Sequence, residues 1–264
     1  MLHPMDWQAI RDEAMPAPIP LPECPPGWTT GPPDFVGIGV QRAGTSRWWN
    51  LMRAHSSIAS TTKELHYFER AWCNPNFDLD PYELYFPRPP GSIAGEWTPR
   101  YMSDHWVPGL LAEAAPNAKL LVALRDPVER YVSAMGLLAR QHLNGYPITH
   151  TTPGETAHRG DYHKQLQHVL KHFERPRLLL LQFERCVTER DTELRRTFEF
   201  LELDPDLWPA TFGDQWRNPI EYEYPLSDRE RRALVERYED GVAELVSEFP
   251  EIDLALWPNF RHLA

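Results

Sequence analysis

The chain has 264 residues and a formal net charge of −11, from 27 Lys and Arg against 38 Asp and Glu. Apolar residues at 42% and charged residues at 25% fit a globular protein with a sizeable core, and exclude a disordered, collagen-like or coiled-coil chain. So negative a chain is a poor nonspecific binder of nucleic acid, and no nucleic-acid partner is expected; an anionic small molecule needs only a local cluster of Arg, Lys and backbone N–H groups.

No run of about 18 apolar residues occurs, so no transmembrane segment is expected. The opening MLHPMDWQAIRDEAMP lacks the basic start and apolar stretch of a secretory signal. Cys24, Cys73 and Cys186 lie far apart with no CxxC pair, which predicts a reducing, cytoplasmic setting and no structural metal site.

Residues 1–33 hold nine of the 27 prolines. Proline removes donors and blocks helix and sheet interiors, so this stretch reads as an extended arm lying on the body or, equally, as a disordered leader. A single domain is expected over 34–264. FVGIGV (Phe35–Val40) predicts a buried strand, SRWWNLMRAH (Ser46–His55) a helix and SIAST (Ser57–Thr61) a second strand. A proline-rich loop spans Asn74–Pro90. SIAGEW (Ser92–Trp97) reads as strand and HWVPGLLAEAAP as helix. KLLVAL (Lys119–Leu124) has the unbroken apolar run of a strand covered on both faces. Asp126, Pro127 and Glu129 then supply a capping box variant for the next helix. RLLLLQF (Arg177–Phe183) is a further strand, among helices predicted at His163–Phe173, Glu193–Leu201 and Asp228–Phe249. Strands alternating with helices predict an α/β fold, a central parallel sheet flanked by helices. Ligands of such sheets bind beyond the carboxyl ends of the strands.

Two segments fall at such ends. GVQRAGTS (Gly39–Ser46) follows a strand and opens a helix, so the backbone N–H groups of Ala43, Gly44, Thr45 and Ser46 would converge on an anion. A nucleotide triphosphatase loop carries Lys where Thr45 stands, which makes ATP with magnesium a poor fit. The third glycine of a dinucleotide fingerprint is replaced by Arg42. Taken alone, the loop is equally an ordinary strand–turn–helix. RDPVERYVS (Arg125–Ser133) places Arg125 at a strand end, with Arg130 and Ser133 three apart on one helical face. A fixed guanidinium and a hydroxyl suit a phosphate monoester.

The ordered pair of motifs resembles the sulfotransferases that use 3′-phosphoadenosine 5′-phosphosulfate (PAPS). Arg125, Pro127, Arg130 and Ser133 match that family's R-x-P-x-x-R-x-x-S segment position for position. KELHYF (Lys63–Phe68) and GEWTPRY (Gly95–Tyr101) resemble the K-E-x-H-F-F and G-E-K-T-P-x-Y segments of the heparan sulfate sulfotransferase branch. RGDYHKQLQHVLKHF, LLLLQFERC and LRRTFEFLELDP resemble its G-x-Y loop, fourth strand and following helix.

The resemblance implies the sulfotransferase version of the P-loop-containing nucleotide hydrolase fold. It implies an enzyme that moves a sulfonate from PAPS to a hydroxyl or amine by in-line displacement, releasing adenosine 3′,5′-bisphosphate, with no metal. Glu64 would be the general base and Lys63 a cation at the sulfonate, with His66 in support. Arg42 stands where the family carries a Lys on the leaving phosphate. Thr45 and Ser46 would hold the 5′-phosphosulfate, and Arg125, Arg130 and Ser133 the 3′-phosphate. Gly160 and Tyr162 match the G-x-Y loop near the nucleotide. Trp97 replaces another family Lys, so either Lys63 and Arg42 suffice at the sulfonate or the acceptor site is rebuilt around an aromatic. Trp72, Trp97 and Trp106 lie in the segments that would line such a cleft, for a small-molecule, carbohydrate or glycolipid acceptor; plain core packing is the other reading of these tryptophans, and the one favoured. A non-catalytic module binding PAPS or the bisphosphate, and a P-loop kinase-like enzyme, are the alternative readings.

Overall fold

The structure is a computed structural model that describes residues 19–74, 77–145, 152–208 and 224–264. Four strands form one parallel sheet: β1 (Phe35–Gly39), β2 (Gly95–Trp97), β3 (Lys119–Leu124) and β4 (Leu178–Gln182). Their spatial order is β2-β1-β3-β4. Every position of β1, β2 and β4 is buried, and all of β3 except Lys119. A strand covered on both faces has no solvent side for polar residues, which is why KLLVAL and LLLLQ read as unbroken apolar runs.

The flanking helices are α1 (Thr45–Met52), α2 (Val107–Ala114), α3 (Pro127–Leu143), α4 (Pro153–His158), α5 (Tyr162–Val169), α6 (Phe183–Thr188), α7 (Arg190–Phe200) and α8 (Asp228–Glu248). Trp48 and Trp49 are core residues: the Trp48 indole donates to Thr197 Oγ1 at 3.3 Å, and Trp49 packs on Phe35. Among the described residues no helix is long and apolar enough to cross a membrane.

Three local expectations are corrected. Ser57–Thr61 forms no strand; Ile58 makes a single parallel bridge to Ile93, and the strand expected from Ser92 begins only at Gly95. Asp126 does cap α3, accepting from the amides of Val128 and Glu129. Glu129, however, does not complete the box. Its carboxylate is drawn away by Arg231 and Asn259, and Glu184 takes the Asp126 N–H at 3.1 Å instead. A long-range carboxylate thus replaces the local one, a substitution that sequence spacing does not encode.

Residues 1–18 of the expected arm lie outside the described residues. Residues 19–33 run along the 85–88 segment. Tyr85 Oη donates to the Ile19 carbonyl at 2.7 Å, and Arg88 donates to the carbonyls of Gly31 and Pro32. A proline-rich strip offers few donors of its own, so these side chains supply them.

The strand order decides where chemistry can gather. β1 pairs in parallel with β2 on one side and β3 on the other. The carboxyl ends of all three therefore lie side by side. The loop after Gly39, the Glu96–Thr98 stretch and Arg125 come to one edge of the sheet.

Candidate active site

The loop leaving β1 turns sharply. Gly44, at φ 75°, occupies the left-handed region before α1, and Arg42 does so at φ 72°. Glycine enters that region without penalty; a side chain strains it. The helix start has no side-chain cap, so its first amides are left for another acceptor. One expected donor is withdrawn: the Ala43 N–H turns back onto the Val40 carbonyl at 3.3 Å, leaving Gly44, Thr45 and Ser46 as the outward set. Thr45 is buried and Ser46 exposed.

The second motif closes onto this loop. Arg125 Nη1 donates to the Arg42 carbonyl at 3.1 Å, and Arg42 Nε donates to Ser133 Oγ at 3.1 Å. Arg125 is braced by the Phe183 ring, 4.7 Å from its guanidinium carbon. Tyr162 is buried and donates its hydroxyl to the Arg125 carbonyl at 2.8 Å, so its contact in this structure is with Arg125. Arg159, beside the same loop, donates to Gln41 Oε1.

Arg130 is fully buried. Its Nη2 donates to the Thr156 carbonyl, while its Nε and Nη1 are buried without an acceptor. Among the described residues no carboxylate lies within salt-bridge distance of Arg42, Arg125 or Arg130. Burial lowers the Arg42 pKa, and Arg125, Arg140 and Arg130 lower it further by repulsion. Burial lowers that of Arg125 too, against nearby Glu184 and Glu129. A buried cation with orphaned donors costs several kcal/mol. A bound phosphate would supply the missing acceptors and charge, and the residues present fit one.

The Lys63–Glu69 segment hangs on the end of β2, its backbone held by Glu96 and Thr98. Lys63 Nζ lies 2.5 Å from Glu64 Oε1, and His66 Nε2 lies 3.4 Å from Glu64 Oε2. The other ring nitrogen, His66 Nδ1, lies 2.6 Å from Glu69 Oε1, and Arg100 Nη1 is 3.6 Å from Glu69 Oε2. Burial alone would raise the Glu64 carboxyl, but the hydrogen bonds and charges of His66 and Lys63 pull it down to about 2. Hydrogen bonds with Glu64 and Glu69 push His66 up to about 9, against burial.

Glu64 and His66 also hold strained backbone, at φ 62° and 50°. Such residues cost roughly 1–3 kcal/mol each and persist only where their surroundings over-determine them. The surroundings here are a buried platform from the GEWTPRY segment. Glu96 is wholly buried. Its Oε1 accepts from Tyr82 Oη at 2.9 Å and Tyr101 Oη at 3.0 Å; its Oε2 accepts from Thr98 Oγ1 at 2.5 Å and the Leu65 N–H at 3.2 Å. Thr98 in turn accepts from the His66 N–H at 3.4 Å, and Tyr101 from the Tyr67 N–H at 2.9 Å. Three successive amides of the segment are thus held. Burial pushes the Glu96 pKa up, while its four donors favour the ionised form. The role of this segment is not visible in motif spacing; its signal in the sequence is a Glu, a Thr and a Tyr placed around one short strand.

Trp97 does not line a cleft. It is fully buried, its indole donates to the Gly39 carbonyl at 3.1 Å, and a Cβ at Gly37 would overlap its ring. It is a core prop beneath the loop. Trp72 is exposed and packs on Trp106 with ring centroids 4.6 Å apart. Among the described residues no group of three or more potential ligands could hold a metal ion.

The ion pair makes pH dependence testable. A depressed Glu64 pKa stabilises the fold above its ordinary 4.5, a contribution lost as pH falls toward 2. A raised His66 pKa stabilises below its ordinary 6.5, and that contribution is lost as pH rises through about 9. The two shifts share the Glu64–His66 pair, which is counted once, while Glu69 adds to the His66 shift alone; both groups are screened by solvent at side-chain exposures of 36% and 29%. Wild-type protein is expected to lose more melting temperature between pH 6.5 and 9 than His66→Gln. Parallel melting curves for the two proteins would contradict the pairing.

Comparison with known proteins shows which family the chain is similar to. The family described as "Sulfotransferase domain" matches residues 32–218. Heparan sulfate glucosamine 3-O-sulfotransferase 3B1 of Homo sapiens is 29% identical over 183 residues, covering 65% of this chain and 46% of that protein. Heparan sulfate glucosamine 3-O-sulfotransferase 6 of Mus musculus is 28% identical over 218 residues, covering 71% and 62%. The chain spans about half the length of the first of these curated relatives. A solved sulfotransferase from Alicyclobacillus acidocaldarius shares the fold, with a TM-score of 0.66 at 22% identity over 85% of this chain and 98% of that one. From the family match and the shared fold, the chain belongs to the sulfotransferase domain family.

Proposed function

We propose that this protein transfers a sulfonate from PAPS to a hydroxyl group of a carbohydrate-class acceptor. The observation that carries the reading is the joining of two anion-binding motifs into one site, Arg125 on the Arg42 carbonyl and Arg42 on Ser133. Gly44, Thr45 and Ser46 would hold the 5′-phosphosulfate. Arg125, Arg130 and Ser133 would hold the 3′-phosphate, with Tyr162 positioning Arg125. The similarity to heparan sulfate glucosamine 3-O-sulfotransferases supports a saccharide acceptor.

The chemistry is an in-line displacement in which protein groups supply position and charge. Glu64 takes the acceptor's proton as the acceptor oxygen bonds to sulfur and the bond from sulfur to the 5′-phosphate oxygen breaks. Lys63 starts on Glu64. Moving to the sulfonate, it neutralises developing charge and frees Glu64 of one influence that lowers its pKa, which makes Glu64 a stronger base. His66, held by Glu69, keeps the carboxylate oriented.

Arg125→Ala or Ser133→Ala is expected to cost more than about tenfold in affinity for adenosine 3′,5′-bisphosphate, by calorimetry. Unchanged affinity would remove the 3′-phosphate assignment. The buried Trp97, in place of a family Lys, favours one second reading, a module that binds the nucleotide without transfer. Binding of the bisphosphate with no labelled product across a broad saccharide panel would establish that reading instead. A thermal shift with ATP–magnesium larger than that with the bisphosphate would point to a kinase-like enzyme.

A further inference from the structure

We propose that Arg42 recognises the 3′-phosphate of the donor, together with Ser133, rather than stabilising the 5′ leaving group. The inference rests on the PAPS reading above and changes the role that sequence resemblance gives this residue. The resemblance aligns Arg42 with a lysine on the leaving phosphate. The structure turns it elsewhere. Its Nε donates to Ser133 Oγ at 3.1 Å, in the middle of α3 and in the motif assigned to the 3′ end.

The electrostatic surroundings agree. The cations that push on the Arg42 guanidinium are Arg125, Arg140 and Arg130, all from the segment between β3 and the end of α3. Lys63, the cation that remains for the sulfonate, lies on Glu64 instead. The Arg42 main chain is fixed as well: φ 72° sets its direction, and Arg125 holds its carbonyl at 3.1 Å. With Nε committed to Ser133, Nη1 and Nη2 donate to no described residue. They present a planar pair of donors beside the Arg125 and Arg130 cations, the geometry that suits a phosphate oxygen pair. A phosphate monoester carries about −1.5 to −2 charges at neutral pH, which calls for more cationic partners than either singly charged group at the 5′ end. Lysine at this position would bring one point charge and no fork.

Calorimetry with adenosine 3′,5′-bisphosphate, adenosine 3′-monophosphate and adenosine 5′-monophosphate separates the two ends. Arg42→Met is expected to weaken binding of the bisphosphate and the 3′-monophosphate by about tenfold or more, and of the 5′-monophosphate by less than about twofold. Arg42→Lys, which keeps the charge and guards against a folding artefact, is expected to fall between wild type and Arg42→Met. A loss that follows the 5′-phosphate, or is equal for all three ligands, overturns the inference, as does full retention of the 3′-phosphate preference by both variants. If wild-type protein itself does not prefer the bisphosphate to the 5′-monophosphate, the donor reading falls too.

Discussion

Glu64→Gln is expected to bind adenosine 3′,5′-bisphosphate within about twofold of wild type and to transfer sulfonate about 10²–10⁴-fold more slowly. The carboxamide still accepts a hydrogen bond from Lys63 and keeps the shape of the site, but it has no lone basic oxygen for the acceptor's proton. The network makes this a clean test. With its pKa held near 2 by His66 and Lys63, outweighing burial, Glu64 is a carboxylate at any working pH. The resting group starts ionised, and a change in rate reports loss of the base. Single-turnover transfer of labelled sulfonate from PAPS to a saccharide acceptor gives the rate; calorimetry gives the affinity. Undiminished turnover by the variant would reassign the base.

Glu96 carries the second large effect, through position. Glu96→Leu leaves the Tyr82, Tyr101 and Thr98 hydroxyls and the Leu65 N–H without their buried acceptor. A loss of about 2–4 kcal/mol of stability is expected, measured by denaturant unfolding. Glu96→Gln is the sharper variant. One amide oxygen can still serve Leu65 and Thr98, and the tyrosine hydroxyls can rotate to accept from the amide nitrogen. The fold and nucleotide affinity are expected to survive, while transfer falls about 10–100-fold, because a displacement of about 1 Å at a reacting group has that scale of cost. A purely structural role would lower stability and leave the rate per folded molecule unchanged. A Glu96→Gln protein with full turnover would end the positioning role.

The sequence makes the sheet and its two loops legible for a physical reason. Strands buried on both faces must be apolar throughout, and KLLVAL forms β3 with no change of boundary. Glycine at the left-handed turn and aspartate at a helix start are local requirements, visible at Gly44 and Asp126. What sequence spacing hides is contact across the chain. Glu184 rather than Glu129 closes the cap, because a residue 58 positions away folds onto Asp126. Trp97 could be a core or a cleft aromatic by sequence; the bare backbone at Gly37, which makes room for its ring in the core, decides for the first. The KELHYF and GEWTPRY segments look like separate motifs, yet Glu96, Thr98 and Tyr101 are the scaffold on which Leu65, His66 and Tyr67 hang. Arg42 is visible as a cation in a loop; its direction toward Ser133 emerges only once β1 and β3 are known to be neighbours.

A crystal structure with adenosine 3′,5′-bisphosphate tests the central claim most directly. The account predicts one nucleotide spanning the site, its 5′-phosphate on the amides of Gly44–Ser46 and its 3′-phosphate within hydrogen-bond reach of Arg125, Arg130, Ser133 and Arg42. A nucleotide bound elsewhere, or one touching a single motif while the other faces away, would contradict it.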